Sequence, residues 1–164
     1  MSLVTNIPAA EACLAHVKPR RRSHISVVIP ALNEEEAISR VLSEIPREIV
    51  SEIIVVNNGS TDNTAAVAQA CGAKIIDEPR RGYGSACLAG VAAAASADII
   101  VFLDADYSDF PQDLGSIVEP ILDGRADLVI GSRILGGASV RALLPQAYFG
   151  NRFACFLLRI CFGA

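Results

Sequence analysis

Two carboxylates, Asp104 and Asp106, follow directly on an apolar stretch of the chain. That stretch, residues 98–103, has the composition of a strand buried on both faces of a sheet. If the backbone stays extended through Ala105, the two acidic side chains project from the same face. Carboxylates held that close repel each other unless a cation lies between them. The pattern favours an oxygen-ligand site for Mg²⁺ or Mn²⁺, shared with a phosphate; the alternative is a solvated turn, where Asp is common.

The chain around these carboxylates alternates between strand-like and helix-like segments joined by mostly short loops. Apolar runs predict five strands, at residues 25–29, 52–56, 73–76, 98–103 and 127–130. Apolar periodicity and breaker residues predict helices at about 34–45, 63–71, 85–95, 111–122 and 146–162. Pro30 is expected to stop the first strand, and Asn33 to cap the first helix. This order predicts an α/β fold, a mainly parallel sheet with helices on both faces.

Polar residues follow four of the predicted strands. In such sheets, ligands bind beyond the carboxyl ends of the strands, where these residues would meet. They are Asn33 and Glu34, Asn57 and Asn58, Asp104 and Asp106, and Ser132 and Arg133. Folding alone does not require polar groups at all four ends, so their placement strengthens the interpretation of Asp104 and Asp106 as a site.

A glycine-rich loop, residues 80–85, precedes the third predicted helix. Its Gly-x-Gly is not a dinucleotide fingerprint, because Cys87 occupies the next glycine position and no long strand leads into it. The loop still frees backbone N–H groups at a helix start, beside Arg80 and Arg81. That combination favours an anion.

Composition limits the class of protein. The chain has 164 residues, 52% hydrophobic and 20% charged, which is typical of a globular domain rather than a disordered chain. A net charge of −4 argues against nucleic acid as the main partner. Five cysteines without a Cys-x-x-Cys pair fit a reducing compartment better than disulfides or zinc. With no signal peptide and no run of about 18 apolar residues, we expect a cytoplasmic protein.

The two ends of the chain are open to two interpretations each. Residues 1–24 are predicted to be an irregular arm before a domain at 25–164, and the basic run 18–22 is either solvated or in contact with anionic lipid headgroups. The last predicted helix carries an apolar stripe with Arg152 and Arg159 opposite. That stripe either faces a core or lies on the inner face of a membrane, with the protein attached peripherally.

Four motifs in order resemble those of family 2 glycosyltransferases with the GT-A fold, over about residues 25–160. The motifs are Val28-Ile29-Pro30-Ala31-Leu32-Asn33-Glu34, Val55-Val56-Asn57-Asn58-Gly59-Ser60-Thr61-Asp62, Asp98 to Asp106, and Ile130-Gly131-Ser132-Arg133. The chain looks most similar to the polyprenyl-phosphate branch, which includes dolichyl-phosphate mannosyltransferases and undecaprenyl-phosphate glucosyltransferases. The resemblance implies a Rossmann-like, nucleotide-sugar-binding domain.

The resemblance also implies roles for individual residues. Asp104 and Asp106, with Ala105 between them, would hold Mg²⁺ or Mn²⁺ on the donor diphosphate, and Arg133 would meet phosphate or acceptor. These three charged residues are the implied catalytic set. The implied donor-binding residues are Pro30, Ala31, Asn33 and Glu34 in the nucleotide pocket, Asn57 and Asn58 facing the base, and Arg81 and Gly82 near the phosphates.

The implied activity is inverting, metal-dependent transfer of a hexose from a UDP- or GDP-linked sugar to a polyprenyl phosphate. Two departures bear on it: the family usually has Asp at the position of Asn57 and often at Asn58, and its catalytic domains continue beyond the position of Ala164. Neutral amides predict weaker or altered base selection. A nucleotide-sugar-binding module without turnover is therefore a second hypothesis. A sugar-nucleotide pyrophosphorylase is a third, disfavoured because no basic Gly-rich loop directly follows the first strand.

Overall fold

The structure, a computed structural model, describes residues 23–131. Residues 1–22 and 132–164 lie outside this range, and with them the predictions for the basic arm, for Ser132 and Arg133, and for the last helix. The strands are β1 (Ile25–Ala31), β2 (Glu52–Asn57), β3 (Lys74–Asp77) and β4 (Ile99–Phe102). The helices are α1 (Ile38–Glu44), α2 (Thr64–Ala70), α3 (Tyr83–Ala93) and α4 (Leu114–Leu122), the last preceded by a 3₁₀ turn at Pro111–Asp113.

The four strands form one parallel sheet in the order β3-β2-β1-β4. The register pairs Ala31 with Asn57, and Asn57 in turn with Asp77. The carboxyl ends of β1, β2 and β3 are therefore level at one edge of the sheet. This arrangement confirms the predicted α/β fold with a parallel sheet.

Helices cover both faces of the sheet, as predicted. Successive residues of β1 point to opposite faces, with Val27 and Ile29 on one side and Val28 on the other. The larger core joins the first face to buried residues of α1, α2 and α4. The smaller core joins the second face to α3. All seven residues of β1 are buried, because this strand is central and covered on both sides.

The prediction that Pro30 ends β1 is wrong, because the strand continues to Ala31. The pairing of β1 with β4 ends at Val28 opposite Phe102, while the pairing with β2 continues through Pro30. A proline inside a central strand removes one ladder hydrogen bond. Pro30 avoids most of that cost because it lies beyond the last residue paired with β4.

Two further predictions are wrong. Helix α1 begins at Ile38 rather than after Asn33, which has a positive φ of 58° and forms loop contacts instead of a helix cap. Residues 127–130 form no strand within the described part of the chain, and Leu128 and Ile130 are 76% and 80% exposed. From Ala126 the chain belongs to a second compact unit. The described residues of that unit offer no partner for a strand's backbone groups.

Candidate functional site

The Asp104–Asp106 segment leaves β4 as a turn rather than as extended chain. Ala105 and Asp106 lie in a turn, so the extended backbone that would make both carboxylates project from one face of a strand is not present, and the alternative of a turn describes the backbone here. The carboxylate of Asp106 accepts the N–H of Ser108 at 2.9 Å, and that of Asp109 accepts the N–H of Asp104 at 3.1 Å. Short side chains that bond the backbone two residues on favour turns over strands. Ala105 is buried, and Asp106 is exposed.

Tyr83, at the start of α3, reaches this turn and was not singled out from the sequence as a site residue. Its hydroxyl donates a long hydrogen bond of 3.4 Å to Oδ1 of Asp104. Partial burial, the charge of Asp104 and the neighbouring Cys87 raise the pKa of Tyr83 to about 12. The phenol therefore stays protonated at neutral pH and remains a donor. The sequence feature that could have indicated Tyr83 as a site residue is its place between Gly82 and Gly84, in the loop predicted to favour an anion.

Glu34 connects the loop after β1 electrostatically to the turn after β4. Partial burial, followed by the charges of Asp106 and Asp62, raises the pKa of Glu34. The charges of two carboxylates on other loops, Asp106 and Asp62, therefore act on Glu34 at this edge of the sheet. A cleft of about 270 Å³ opens beside them, and its lining is Asn33, Glu34, Glu35, Glu36, Ala37 and Asp62.

Reciprocal hydrogen bonds connect the loop after β1 to the loop after β2. Oδ1 of Asn33 accepts the N–H of Thr61 at 2.8 Å. The N–H of Glu34 donates to the hydroxyl of Thr64 at 2.8 Å, and the N–H of Glu35 donates to Asp62 at 3.2 Å. These bonds explain why residues 33–36 are held in a loop instead of starting a helix. They also fix the direction in which the Glu34 backbone leaves the sheet.

Asn57 ends β2, and its side chain is held from both sides. Its Nδ2 donates to Oδ1 of Asp77 at 2.8 Å, and its Oδ1 accepts the N–H of Ser60 at 3.0 Å. Asp77 is the residue paired with Asn57 in the register of β2 and β3. A neutral amide, which here donates one hydrogen bond and accepts one, fits this position; no pattern in the sequence predicted that Asp77 would lie beside it.

Asn58 is only 5% exposed, and its side chain holds the glycine-rich loop. Its Nδ2 donates to the carbonyls of Glu78 and Arg80, both at 2.9 Å. Its Oδ1 accepts the N–H of Gly82 at 2.8 Å. Both amide hydrogens are thus used within the chain, so a contact from Asn58 to a base would have to use the remaining capacity of its oxygen.

The glycine-rich loop is shaped by Gly82, whose φ of 132° is open only to glycine without strain. Beside it, the Arg81 guanidinium donates to the carbonyl of Gly59 at 3.2 Å, and the side chain is exposed. Ten of the predicted site residues therefore lie on the loops or strand ends of one sheet edge: Ala31, Asn33, Glu34, Asn57, Asn58, Arg81, Gly82, Asp104, Ala105 and Asp106. Pro30 is buried one residue before that edge, and Arg133 is outside the described residues.

The metal prediction can be tested against the available ligands. Within residues 23–131 no group of three or more His, Cys, Asp or Glu side chains is arranged to hold a metal ion. A self-sufficient protein cage is therefore absent from this region. Mg²⁺ is commonly held by one or two carboxylates together with substrate phosphates and water. Asp104 and Asp106 fit that mode, in which a diphosphate completes the coordination.

The chain belongs to glycosyl transferase family 2, whose family model matches residues 26–156. It is 49% identical over 109 residues to an uncharacterized glycosyltransferase of Mycobacterium tuberculosis, covering 66% of this chain and 48% of that protein. It is 32% identical over 157 residues to the UDP-N-acetylglucosamine–dolichyl-phosphate N-acetylglucosaminyltransferase of Methanococcus voltae, covering 82% and 62%. The chain spans about half the length of the curated relatives it matches.

A solved structure shares the fold. Glucosyl-3-phosphoglycerate synthase from Mycobacterium tuberculosis, in complex with Mn²⁺, UDP and glucosyl-3-phosphoglycerate, superposes with a TM-score of 0.56 at 38% identity. The match covers 61% of this chain and 40% of the synthase. The parallel sheet flanked by helices is therefore of the GT-A type, as the resemblance in the sequence implied.

Proposed function

We propose that this chain is the donor-binding part of a glycosyltransferase that transfers a hexose, with inversion, from UDP-sugar to a polyprenyl phosphate. The observation that carries the proposal is the Asp104–Asp106 turn at the carboxyl end of β4, in electrostatic contact with Glu34 on the loop after β1. Family membership and the UDP complex of the related synthase support a uridine nucleotide as donor.

In this proposal the chain's own residues hold the donor diphosphate. Asp104 and Asp106 would hold Mg²⁺ or Mn²⁺, which would neutralise charge on the leaving diphosphate as a Lewis acid. Tyr83 would keep Asp104 oriented through its hydroxyl. Arg81, beside the N-terminus of α3, and Arg133 would add fixed positive charge near the phosphates.

The acceptor is proposed from chemistry and from one relative. The Methanococcus relative is named for a dolichyl-phosphate acceptor, and the Mycobacterium synthase for a phosphoglycerate product. Both names share a phosphate. A phosphate monoester is largely dianionic at pH 7 and can attack the sugar without a strong general base. Within residues 23–131 no helix is long and apolar enough to cross a membrane. Peripheral access to a lipid acceptor, from the inner face of the membrane, is part of the proposal.

The donor site is tested by Asp106→Ala. We expect wild-type chain to bind UDP more tightly when Mn²⁺ is added, measured by calorimetry, and the variant to lose that Mn²⁺-dependent gain. Asp98→Ala is the matched control, because Asp98 lies at the opposite end of β4 and accepts the N–H of His24. Equal Mn²⁺-dependent binding by wild type and Asp106→Ala would reject the metal role.

A nucleotide-sugar-binding module is the second candidate, motivated by the neutral amides Asn57 and Asn58 at positions where the resemblance implies Asp. A transfer assay distinguishes the transferase from the binding module. The chain is incubated with radiolabelled UDP-glucose or UDP-N-acetylglucosamine, Mn²⁺ and either a polyprenyl phosphate or 3-phosphoglycerate. Labelled lipid supports the proposal, and labelled glycerate phosphate would replace its acceptor. Donor binding without either product, also after the downstream segment of a relative is supplied, would favour the module.

A further inference from the structure

Tyr107, which directly follows the Asp104–Asp106 turn, has an unusual backbone conformation. Its φ is 62°, in the left-handed region that bulky side chains rarely enter. Within residues 23–131 the other non-glycine residue with positive φ is Asn33, a residue type that tolerates this region far better than tyrosine. A tyrosine keeps such a conformation only when its surroundings fix it.

The surroundings that fix Tyr107 belong to α1. The tyrosine hydroxyl donates a hydrogen bond to the carboxylate of Glu44. The guanidinium of Arg40 lies over the ring, 4.1 Å from its centroid, within the range of a cation–π contact. The ring also packs against the larger hydrophobic core.

Helix α1 is itself firmly attached to the sheet. Val41 and Leu42 are each 1% exposed within the larger core. Arg40 and Glu44 lie one turn apart on the same side of this helix. Arg40 can therefore contact the ring of Tyr107 while Glu44 accepts the hydrogen bond from its hydroxyl. The turn that carries Asp104 and Asp106 is thus attached, through the next residue, to a helix that is packed into the larger core.

The left-handed backbone conformation of Tyr107 also sets the path of the turn. With the chain reversed at Tyr107, the N–H of Ser108 reaches back to Asp106, and Asp109 reaches back to the N–H of Asp104. Both carboxylates proposed as metal ligands lie in this self-bonded segment. A change at Tyr107 would therefore alter their direction without removing either carboxylate.

We infer that Tyr107 is a positioning residue, which sets the direction of the Asp104 and Asp106 carboxylates through Glu44 and Arg40. This inference rests on the proposed function, because it concerns the same donor site. In this inference Tyr107 acts on donor binding through the two carboxylates. Its loss should change how binding depends on the metal more than it changes binding of the nucleotide alone.

The test compares Tyr107→Leu, Tyr107→Phe and wild type in binding of UDP, with and without Mn²⁺. We expect Tyr107→Leu to lose about tenfold in Mn²⁺-dependent affinity and to keep its metal-free affinity for UDP. Tyr107→Phe keeps the ring under Arg40 and should recover roughly half of that loss on a logarithmic scale. Where turnover is measurable, we expect the Mn²⁺ concentration for half-maximal rate to rise in the same order.

Arg47→Met is the matched control for a general loss of stability. Arg47 follows α1 and donates to the carbonyl of Cys71 at 3.1 Å, an anchoring contact outside the proposed site. We expect it to lower the melting temperature and leave the Mn²⁺ dependence as in wild type. If Tyr107→Leu does not fold, Tyr107→Phe and Glu44→Ala test the positioning role instead, since each removes the hydrogen bond between the Tyr107 hydroxyl and Glu44 and leaves the ring in place.

Failure of the positioning role of Tyr107 and failure of the proposed function give different results. Wild-type Mn²⁺ dependence in Tyr107→Leu, or in Tyr107→Phe and Glu44→Ala where the first does not fold, overturns the positioning role and leaves the proposed function standing. A wild-type chain without any Mn²⁺-dependent UDP binding overturns the proposed function, and the role of Tyr107 with it.

Discussion

Asn57 and Asp77 form a pair at the ends of β2 and β3, and the pair gives a physical reason for an amide at position 57. The carboxylate of Asp77 is 2.8 Å from the Asn57 amide nitrogen. A second carboxylate at position 57 would stand opposite the first, and like charges directly across strands are destabilising. The departure from the family's usual Asp is thus matched by a neighbouring acid, and Asn57 alone is no sign of a lost site.

Asn57→Asp is expected to destabilise the protein by about 1–2 kcal/mol, through the lost hydrogen bond and the new repulsion. The double variant Asn57→Asp/Asp77→Asn restores one donor and one carboxylate in exchanged positions and should recover most of the loss. Urea unfolding of the wild type, Asn57→Asp, Asp77→Asn and the double variant gives the coupling energy between the two residues. Additive effects of the two substitutions would contradict the pairing.

Asn58 shows how far residue types alone lead. Its position after a strand predicted correctly that it lies at the carboxyl edge of the sheet, but its partners are the carbonyls of Glu78 and Arg80, about twenty residues away. No local pattern encodes those partners, since they depend on how the glycine-rich loop folds over the end of β2. The predicted contact with the base stays a prediction for Asn57 and Asn58 alike.

At the scale of elements, α3 is placed by a glycine rather than by an apolar stripe. Gly90 faces the sheet, and a Cβ there would come within 2.2 Å of Val28 and 3.2 Å of Val56. The helix approaches β1 and β2 closely because this position lacks a side chain. Since the first residue of α3 is Tyr83, the approach also sets the distance between that hydroxyl and Asp104.

Gly90→Ala is therefore expected to lower stability by about 1–3 kcal/mol, although alanine is the better helix former. Gly84→Ala is the matched control in the same helix, because a Cβ there meets nothing within 4 Å. Thermal unfolding of both variants should show Gly90→Ala below wild type and Gly84→Ala level with it or above. Equal effects at the two positions would show that α3 does not depend on this close approach.

The order of elements was predictable because it follows from local periodicity. Strands β1 to β4 and helices α1 to α4 all occur near their predicted positions. The errors have non-local causes: the start of α1 is decided by bonds from Asn33 and Glu34 to the loop after β2. The predicted strand at 127–130 depends on a partner that its own residues do not encode.

At the scale of the whole molecule, topology gathers acids that are far apart in the chain. Glu34, Asp62 and Asp106 follow β1, β2 and β4, and the charges of Asp62 and Asp106 both act on Glu34. This convergence was predictable, because parallel strands end together. Two tyrosines next to these acids were not predicted as site residues. The glycines on either side of Tyr83 were a signal for it, whereas the role of Tyr107 depends on partners in α1 that no local pattern indicates. The chain thus keeps negative charges close to Glu34 at the edge of the sheet where a cation is proposed.

Glu34→Gln tests that repulsion through the dependence of stability on pH. The pKa of Glu34 is raised in the folded state, so the folded chain binds this proton more tightly than the unfolded chain, and the contribution of Glu34 to stability falls as pH rises above about 4.5. Glutamine removes the effect. We expect the metal-free variant to exceed wild type by a few tenths of a kcal/mol at pH 7, with solvent screening limiting the gain, and to match it at pH 4.

The measurement is urea unfolding at the two pH values, at low and at high salt, since salt should shrink the difference at pH 7. Glu48→Gln is the control, an exposed acid that follows α1 away from the ligand edge, and it should show no comparable dependence. A Glu34→Gln variant less stable than wild type at pH 7 would contradict the repulsion. A more stable variant that binds UDP and Mn²⁺ less well would show that the carboxylate is kept for binding at a cost in stability.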